Sequence, residues 1–216
     1  MFNPHFLVVS LGNPLPKYDT LHSAGHYVLK GLASALGHAP LRETRLGGLP
    51  VCFASNGAKH TLMQSPVLMN TSGKFVADAW RHMCRQHRPD SLSLVLVHDE
   101  LESADGVVSL LSWARSARGH RGVKDVHARL RQEAFPTSPL ARIAVGIGRP
   151  EGRDNATVVD YVMSRISASS KRNLEGAFAN EAANSLARLE DYWQAELADG
   201  REDPGLGWSK RMSKNR

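Results

Sequence analysis

Thiols are scarce in this 216-residue chain: there are two, Cys52 and Cys84, and they form no CxxC pair. That scarcity argues against a disulfide framework or a closed zinc site and leads us to expect reduced, buried thiols in an intracellular protein. Long apolar runs are missing too. The longest, residues 6–11 and 92–97, have the length of buried strands and fall far short of the ~20 residues that cross a bilayer. The start, MFNPHFLVVS, has no basic leader, so neither a secretory signal nor an Arg-rich transit peptide is expected. Several catalytic signatures are absent as well. There is no GxSxG elbow for a serine nucleophile, no HExxH for zinc, and no GxGxxG or P-loop for a nucleotide. We therefore expect no metal and no cofactor.

What the chain does have is a globular composition, 42% hydrophobic and 22% charged, with a net charge of +6. The charge is clustered. Residues 115–131 hold six bases (Arg115, Arg118, Arg121, Lys124, Arg129, Arg131) against one acid, Asp125, and the last nine residues, WSKRMSKNR, add four bases and no acid. Clustering of this kind points to a phosphate backbone as partner more than to an ordinary solvated surface.

The run FLVVSL at 6–11 reads as a central strand that ends at Gly12-Asn13-Pro14. A helix over 20–36 follows, with Asp19 or Thr20 as cap and Gly37 as stop. Residues 38–50 read as loop. Strands at 51–55 and 60–64 flank the hairpin signal Asn56-Gly57. A helix over 74–87 leads to strands at 92–97 and 107–111. The Gly-containing loop 118–122 opens a helix over 123–133. A strand at 142–147 and helices at 155–166 and 170–196 complete the pattern. The fold class is α/β: a single domain over 1–197, with a mixed, mostly parallel sheet flanked by helices on both faces. Residues 198–216 read as a basic, flexible tail.

Asn13, Asn70 and Asp99 fall just after strands or at helix starts, the places where open α/β sheets bind ligands. His22 opens the first helix over the same edge. Taken singly, each has a bland reading: a turn amide, a capping acid, an exposed imidazole. Together, a histidine, a carboxylate and amides can act on water, because the carboxylate fixes the imidazole tautomer and stabilises the imidazolium. Alternation along the strand end points Asp99, and not Glu100, at the site.

These segments also resemble a known family. SLGNPLPKYDTLHSAGH (10–26), LMNTSGKFV (68–76), VHDELE (97–102), ARGHRGVKDV (117–126) and RIAVGIGRP (142–150) are similar, in order, to signatures of the bacterial-type peptidyl-tRNA hydrolases. The resemblance implies that His22 activates water, that Asp99 holds His22, and that Asn70 positions water or the substrate carbonyl. It implies that Asn13 helps recognise the blocked peptide amine and that Tyr18 and Leu68 border the cleft near the tRNA 3′ end. It places His120, Arg121 and Lys124 against substrate or RNA, and we group the basic residues Arg118 and Arg142 with the RNA contacts. The chain departs from the family pattern at Leu15, Leu21, Ser23 and Leu68, and at Arg121, where the family has a substrate-binding Asn. An arginine cannot accept a hydrogen bond as an amide oxygen does, but it can grip a phosphate or a carbonyl.

The function expected is hydrolysis of the peptide–tRNA ester in N-blocked peptidyl-tRNA by His-activated water, freeing tRNA for translation and rescuing stalled ribosomes. The partner expected is peptidyl-tRNA, gripped at its acceptor stem and 3′ end, by a monomer in the cytoplasm or the mitochondrion with no membrane attachment. The alternatives are a non-catalytic RNA-binding module of the splicing-factor kind on the same fold, and a hydrolase of small esters that has no use for the basic stripe.

Overall fold

A computed structural model describes residues 2–152 and 154–199. Seven strands make one sheet. At its centre β1 (His5–Ser10) lies between β4 (His60–Gln64) and β5 (Leu92–Glu100), and β5 is followed by β7 (Leu140–Gly146), all parallel. Antiparallel strands extend both sides: β3 (Cys52–Asn56) and β2 (Arg42–Thr44) beyond β4, and β6 (Val108–Ser112) beyond β7. The order is β2-β3-β4-β1-β5-β7-β6.

The apolar runs make the two inner strands by side-chain alternation. Phe6, Val8, Val95, Val97, Ile143 and Val145 form one layer with α1 (Ala24–Ala35) and α6 (Ala179–Ala198). Leu7, Val9, Leu94, Leu96 and Leu140 form the other with α2 (Ser72–Cys84) and α3 (Arg121–Arg129). A fully buried tryptophan anchors each layer, Trp193 on α6 and Trp80 on α2. Truncating either to Ala would cost about 3–5 kcal/mol. α4 (Asn155–Val162), α5 (Ala168–Asn173) and a π-helical turn, Leu174–Phe178, connect β7 to α6.

The expected class and hairpin are present, but several boundaries differ. The first helix opens with a 3-10 turn, Leu21–Ser23, before α1. Neither expected cap works: the Thr20 hydroxyl turns back to donate to Lys17 O, and Asp19 accepts from the Tyr27 hydroxyl. The short edge strand β2 lies in the region expected to be loop, because three residues with two exposed polar side chains give no readable period. β5 runs through Glu100, three residues past its apolar run, since parallel pairing with β7 continues to Gly146. The helix at 155 stops at Val162, and the next is split by the π turn. Cys52 and Cys84 are free thiols; Cys52 is buried and Cys84 half-buried. Among the described residues no helix is long and apolar enough to cross a membrane. Most of the expected basic tail, residues 200–216, lies outside the described residues.

Candidate active site

The site forms at the carboxyl end of the parallel strands. Its centre is Asp99, next to last in β5 and 2% exposed. His22 reaches it from the 3-10 turn before α1: Nδ1 lies 2.9 Å from Oδ1 and 3.0 Å from Oδ2. Such closeness requires the start of α1 to rest on the strand ends, and Gly25 permits it. A Cβ there would fall 2.5 Å from Val97 O and 2.9 Å from Leu11 O. A second imidazole, His120, caps α3 and puts Nε2 3.1 Å from Asp99 Oδ1.

The tautomers follow from the partners. Asp99 as a carboxylate only accepts, so His22 carries its proton on Nδ1 and leaves Nε2 with a free lone pair. The Val123 N–H donates to His120 Nδ1, so His120 carries its proton on Nε2 and donates it to Asp99. Burial would raise the Asp99 pKa, but two imidazoles beside the carboxylate outweigh it and hold the acid well below the usual carboxylate range. For His22 burial works against the charged form, yet the Asp99 charge and hydrogen bond win and raise its pKa. His22 is thus a neutral base made more basic by a fixed carboxylate.

Asn13 and Asn70 belong to loops stitched to one another. Asn13 is buried, its Oδ1 accepts from Met69 N–H at 3.0 Å, and its own N–H donates to Ser23 Oγ beside His22. With its oxygen occupied, the group Asn13 can offer a ligand is the Nδ2 donor. Asn70 is exposed in the 3-10 turn Met69–Thr71, at the entrance to α2. That entrance is tied to α3: the Gly73 N–H donates to Asp125 Oδ2 at 2.7 Å, and a Cβ on Gly122 would fall 2.5 Å from Met69 Sδ. The lone acid of the basic stretch thus caps α2, where the helix dipole favours a negative charge.

Arg118, Arg121 and Lys124 are exposed around the N-terminus of α3. Arg118 has a φ of +43°, which turns the chain into Gly119 and the His120 cap. Leu68 is 52% exposed beside the Met69 turn. Tyr18 is half-buried; its hydroxyl donates to Gln64 Oε1 at 3.3 Å, and its ring packs on His26 and Tyr27. It lines a cavity of about 810 Å³ with Leu15, Phe53 and Pro66, whose wall does not include His22, Asp99 or His120.

Two expected RNA contacts are corrected. Arg142 is fully buried, with its guanidinium on Arg115 O, Ser116 O and His98 Nε2, so it cannot face a phosphate. Even positions of β7 face α3, and Arg142 is one of them. His120 has both ring nitrogens engaged, on Asp99 and on Val123, which leaves neither free for a phosphate and groups the ring with His22 and Asp99. The sequence reading passed over His98, buried behind Asp99; its signal was a titratable ring next to the key acid in an apolar strand.

The ligand-capable atoms of His22, Asp99 and His120 lie within 4.8 Å of one another, close enough to be weighed as a metal site. The donor set fits poorly. A metal-bound histidine donates its second ring N–H to an acceptor. His120 Nδ1 instead accepts from a backbone N–H, so Nε2 could take a metal only by losing that contact or its last proton. The cluster is wired for protons.

A buried Asp that orients a histidine at the strand ends of an α/β sheet, with amide donors and exposed cations around it, defines a hydrolase of polyanion-bearing substrates. The peptidyl-tRNA hydrolase family model matches residues 7–199. The peptidyl-tRNA hydrolase of Methylococcus capsulatus is 34% identical over 178 residues, covering 82% of this chain and 88% of that one. That of Nitrosomonas europaea is 36% identical over 161 residues, covering 74% and 76%. The crystal structure of peptidyl-tRNA hydrolase from Acinetobacter baumannii shares the fold, with a TM-score of 0.63 at 24% identity over 95% of this chain and 96% of that one. The chain belongs to the peptidyl-tRNA hydrolase family.

Proposed function

We propose that the protein hydrolyses the ester joining a peptide to tRNA in N-blocked peptidyl-tRNA, with His22 as the general base. The observation that carries this reading is the fixed tautomer of His22: Nδ1 is held by a buried, ionised Asp99, and Nε2 is left to take a proton from water. Water gives its proton to His22 as its oxygen bonds to the ester carbon. The carbonyl oxygen takes the negative charge, and the Asn70 amide donates to it. Collapse breaks the bond to the ribose oxygen, which takes the proton back from the His22 imidazolium. The products are a free peptide acid and a tRNA hydroxyl end. The ester is already activated, so one base and a few fixed donors suffice without a covalent intermediate.

Asn13 reads the peptide. With Oδ1 committed to Met69, its Nδ2 donates to an acceptor, which matches the carbonyl of an N-acyl group better than a free ammonium. Arg118, Arg121 and Lys124 hold acceptor-stem phosphates, a largely sequence-blind and salt-sensitive grip. Leu68 and Tyr18 border the path of the 3′ end. The enzyme acts as a monomer in translation, recycling tRNA from stalled or dropped-off peptidyl-tRNA.

The test offers the pure protein N-acetylated and unblocked aminoacyl-tRNA in parallel. Release from the blocked form alone is expected, and His22→Ala is expected to lose turnover while keeping tRNA affinity. Equal cleavage of both substrates would refute the peptide check, and full turnover by His22→Ala would refute the base.

A further inference from the structure

Among the polar residues of the central strands, three are joined in one network at the site, His98, Asp99 and Arg142. The mechanism uses Asp99. Arg142 and His98, both fully buried on the α3 face, have no part in it. A guanidinium in such a layer costs several kcal/mol to desolvate, so its placement calls for a structural return. Burial pulls its pKa down to about 10, with Glu100 opposing and Arg115 adding to the fall, which still leaves it a cation at neutral pH.

Its two arms end at the same residue. On one side the Arg142 Nη1 donates to His98 Nε2 at 3.3 Å. That contact puts the His98 proton on Nδ1, which donates to the carbonyl oxygen of Asp99 at 2.6 Å. On the other side Nη2 donates to Arg115 O at 2.5 Å and more weakly to Ser116 O at 3.4 Å. Those carbonyls belong to the loop that runs on through Arg118 to His120. His120 donates to the Asp99 carboxylate, and its ring meets the His98 ring edge-on at 4.9 Å.

We propose that Arg142 is a positioning residue for the reaction: from beneath α3 it fixes the Asp99 backbone through His98 and the Asp99 carboxylate through the loop that presents His120. The proposal rests on the reading of His22 as the base and extends it to why Asp99 points at His22 in one orientation. A forked, planar cation can serve an imidazole and two carbonyls at once; a lysine ammonium on a flexible stem cannot hold that geometry. The charged and titratable groups that face Arg142 are His98, His127, Glu100 and Arg115. Those that face His22 are Asp99 and His120.

The experiment compares wild type, Arg142→Met, Arg142→Lys and His98→Leu by kcat and KM on N-acetylaminoacyl-tRNA, and by NMR titration of the His22 ring. Arg142→Met is expected to lower kcat by about 10- to 100-fold, the range of a small misalignment of reacting groups, with KM nearly constant. The His22 titration should move down toward the ordinary histidine value as Asp99 loses its aim. Arg142→Lys should recover part of kcat, and His98→Leu should lose about tenfold. A folded Arg142→Met with wild-type kcat and an unmoved His22 titration overturns the proposal. So does a rise in KM at constant kcat, which marks an RNA contact. Should Arg142→Met not fold, His98→Leu decides: unchanged kcat and titration overturn the proposal. If wild type itself fails to cleave the blocked substrate, the functional reading falls, while the His22 titration still judges Arg142.

Discussion

Replacing Asp99 with Asn removes one charge and keeps the shape, which makes it the sharpest probe of the site. Asp99 now accepts two imidazole protons, from His22 and from His120. An Asn at 99 offers one acceptor and one donor. If its NH2 turns to His22, the imidazole must accept on Nδ1 and carry its proton on Nε2, and the base is lost. The loss expected in kcat is the whole of the general-base contribution, about 10²–10⁴-fold. The charge has its own signature. Burial works against the imidazolium, and the Asp99 charge and hydrogen bond are what overcome it, so without that charge the His22 titration should move down. As the proposed base His22 must be neutral to act, so activity is expected to rise with pH through its pKa, which Asp99 raises above the ordinary value. In Asp99→Asn the acid limb of kcat should move to lower pH while the plateau collapses. The assay is release of N-acetylamino acid from tRNA between pH 5 and 9 at saturating substrate (roughly the ordinary range for a histidine base). A kcat within about tenfold of wild type, with the acid limb in place, would refute the role of the carboxylate.

Other outcomes can be checked in parallel. Removing the exposed cations Arg118, Arg121 or Lys124 one at a time should weaken tRNA binding for every tRNA tested and lower the log–log salt slope by about 1 per residue, with kcat intact; filter binding at several salt concentrations reads it. Gly25→Ala forces a methyl group against Val97 O and Leu11 O. It should destabilise the fold by about 1–3 kcal/mol in urea and lower kcat by displacing His22. Fully buried His26, held down to about 3, and His98, held well below the ordinary value, are neutral when folded. Their stability contribution is complete above about pH 6.5 and falls as pH drops below it, by about 1.4 kcal/mol each at pH 5.5. His22 has the opposite sign, losing its contribution as pH rises through its raised pKa. Urea midpoints at pH 7.5 and 5.5 should show a net fall on acidification, and a flat profile would contradict the burial of these rings.

The parts of the fold written in runs of one character were legible. FLVVSL and LSLVLV read as strands buried on both faces, and Asn56-Gly57 as a hairpin turn. Those signals place the sheet and its active edge. Boundaries were harder, because pairing decides them: Asp99 and Glu100 are in a strand since β7 continues beside them. In the site, His22 and Asp99 were readable from position, but the engagement of His120 was not, since the turn at Arg118 that delivers it is set by one backbone angle. Arg142 misled because net charge was counted without its register. An arginine in the middle of an apolar strand of a two-sided sheet has only buried places to point, and its even position, shared with Leu140, fixes which one.

The charges of the site give the two histidines on one acid different parts in the proposed reaction. With both rings neutral the cluster carries one negative charge, on Asp99, in a place with little water. In the transition state proposed above His22 becomes an imidazolium beside that charge, so the buried pair passes from a net charge of −1 to zero while a new negative charge grows on the substrate oxygen. Asp99 must therefore remain ionised throughout, because a protonated Asp99 would neither hold the imidazolium nor fix the tautomer. In the proposed reaction the His22 hydrogen bond changes character as that ring gains and loses its second proton. His120 supplies a hydrogen bond that does not change: its Nδ1 is capped by a backbone N–H, so its proton stays on Nε2, aimed at Asp99. Under the proposed mechanism one ring cycles its proton and the other keeps the carboxylate charged, which is the division of labour that the buried mooring behind them would preserve.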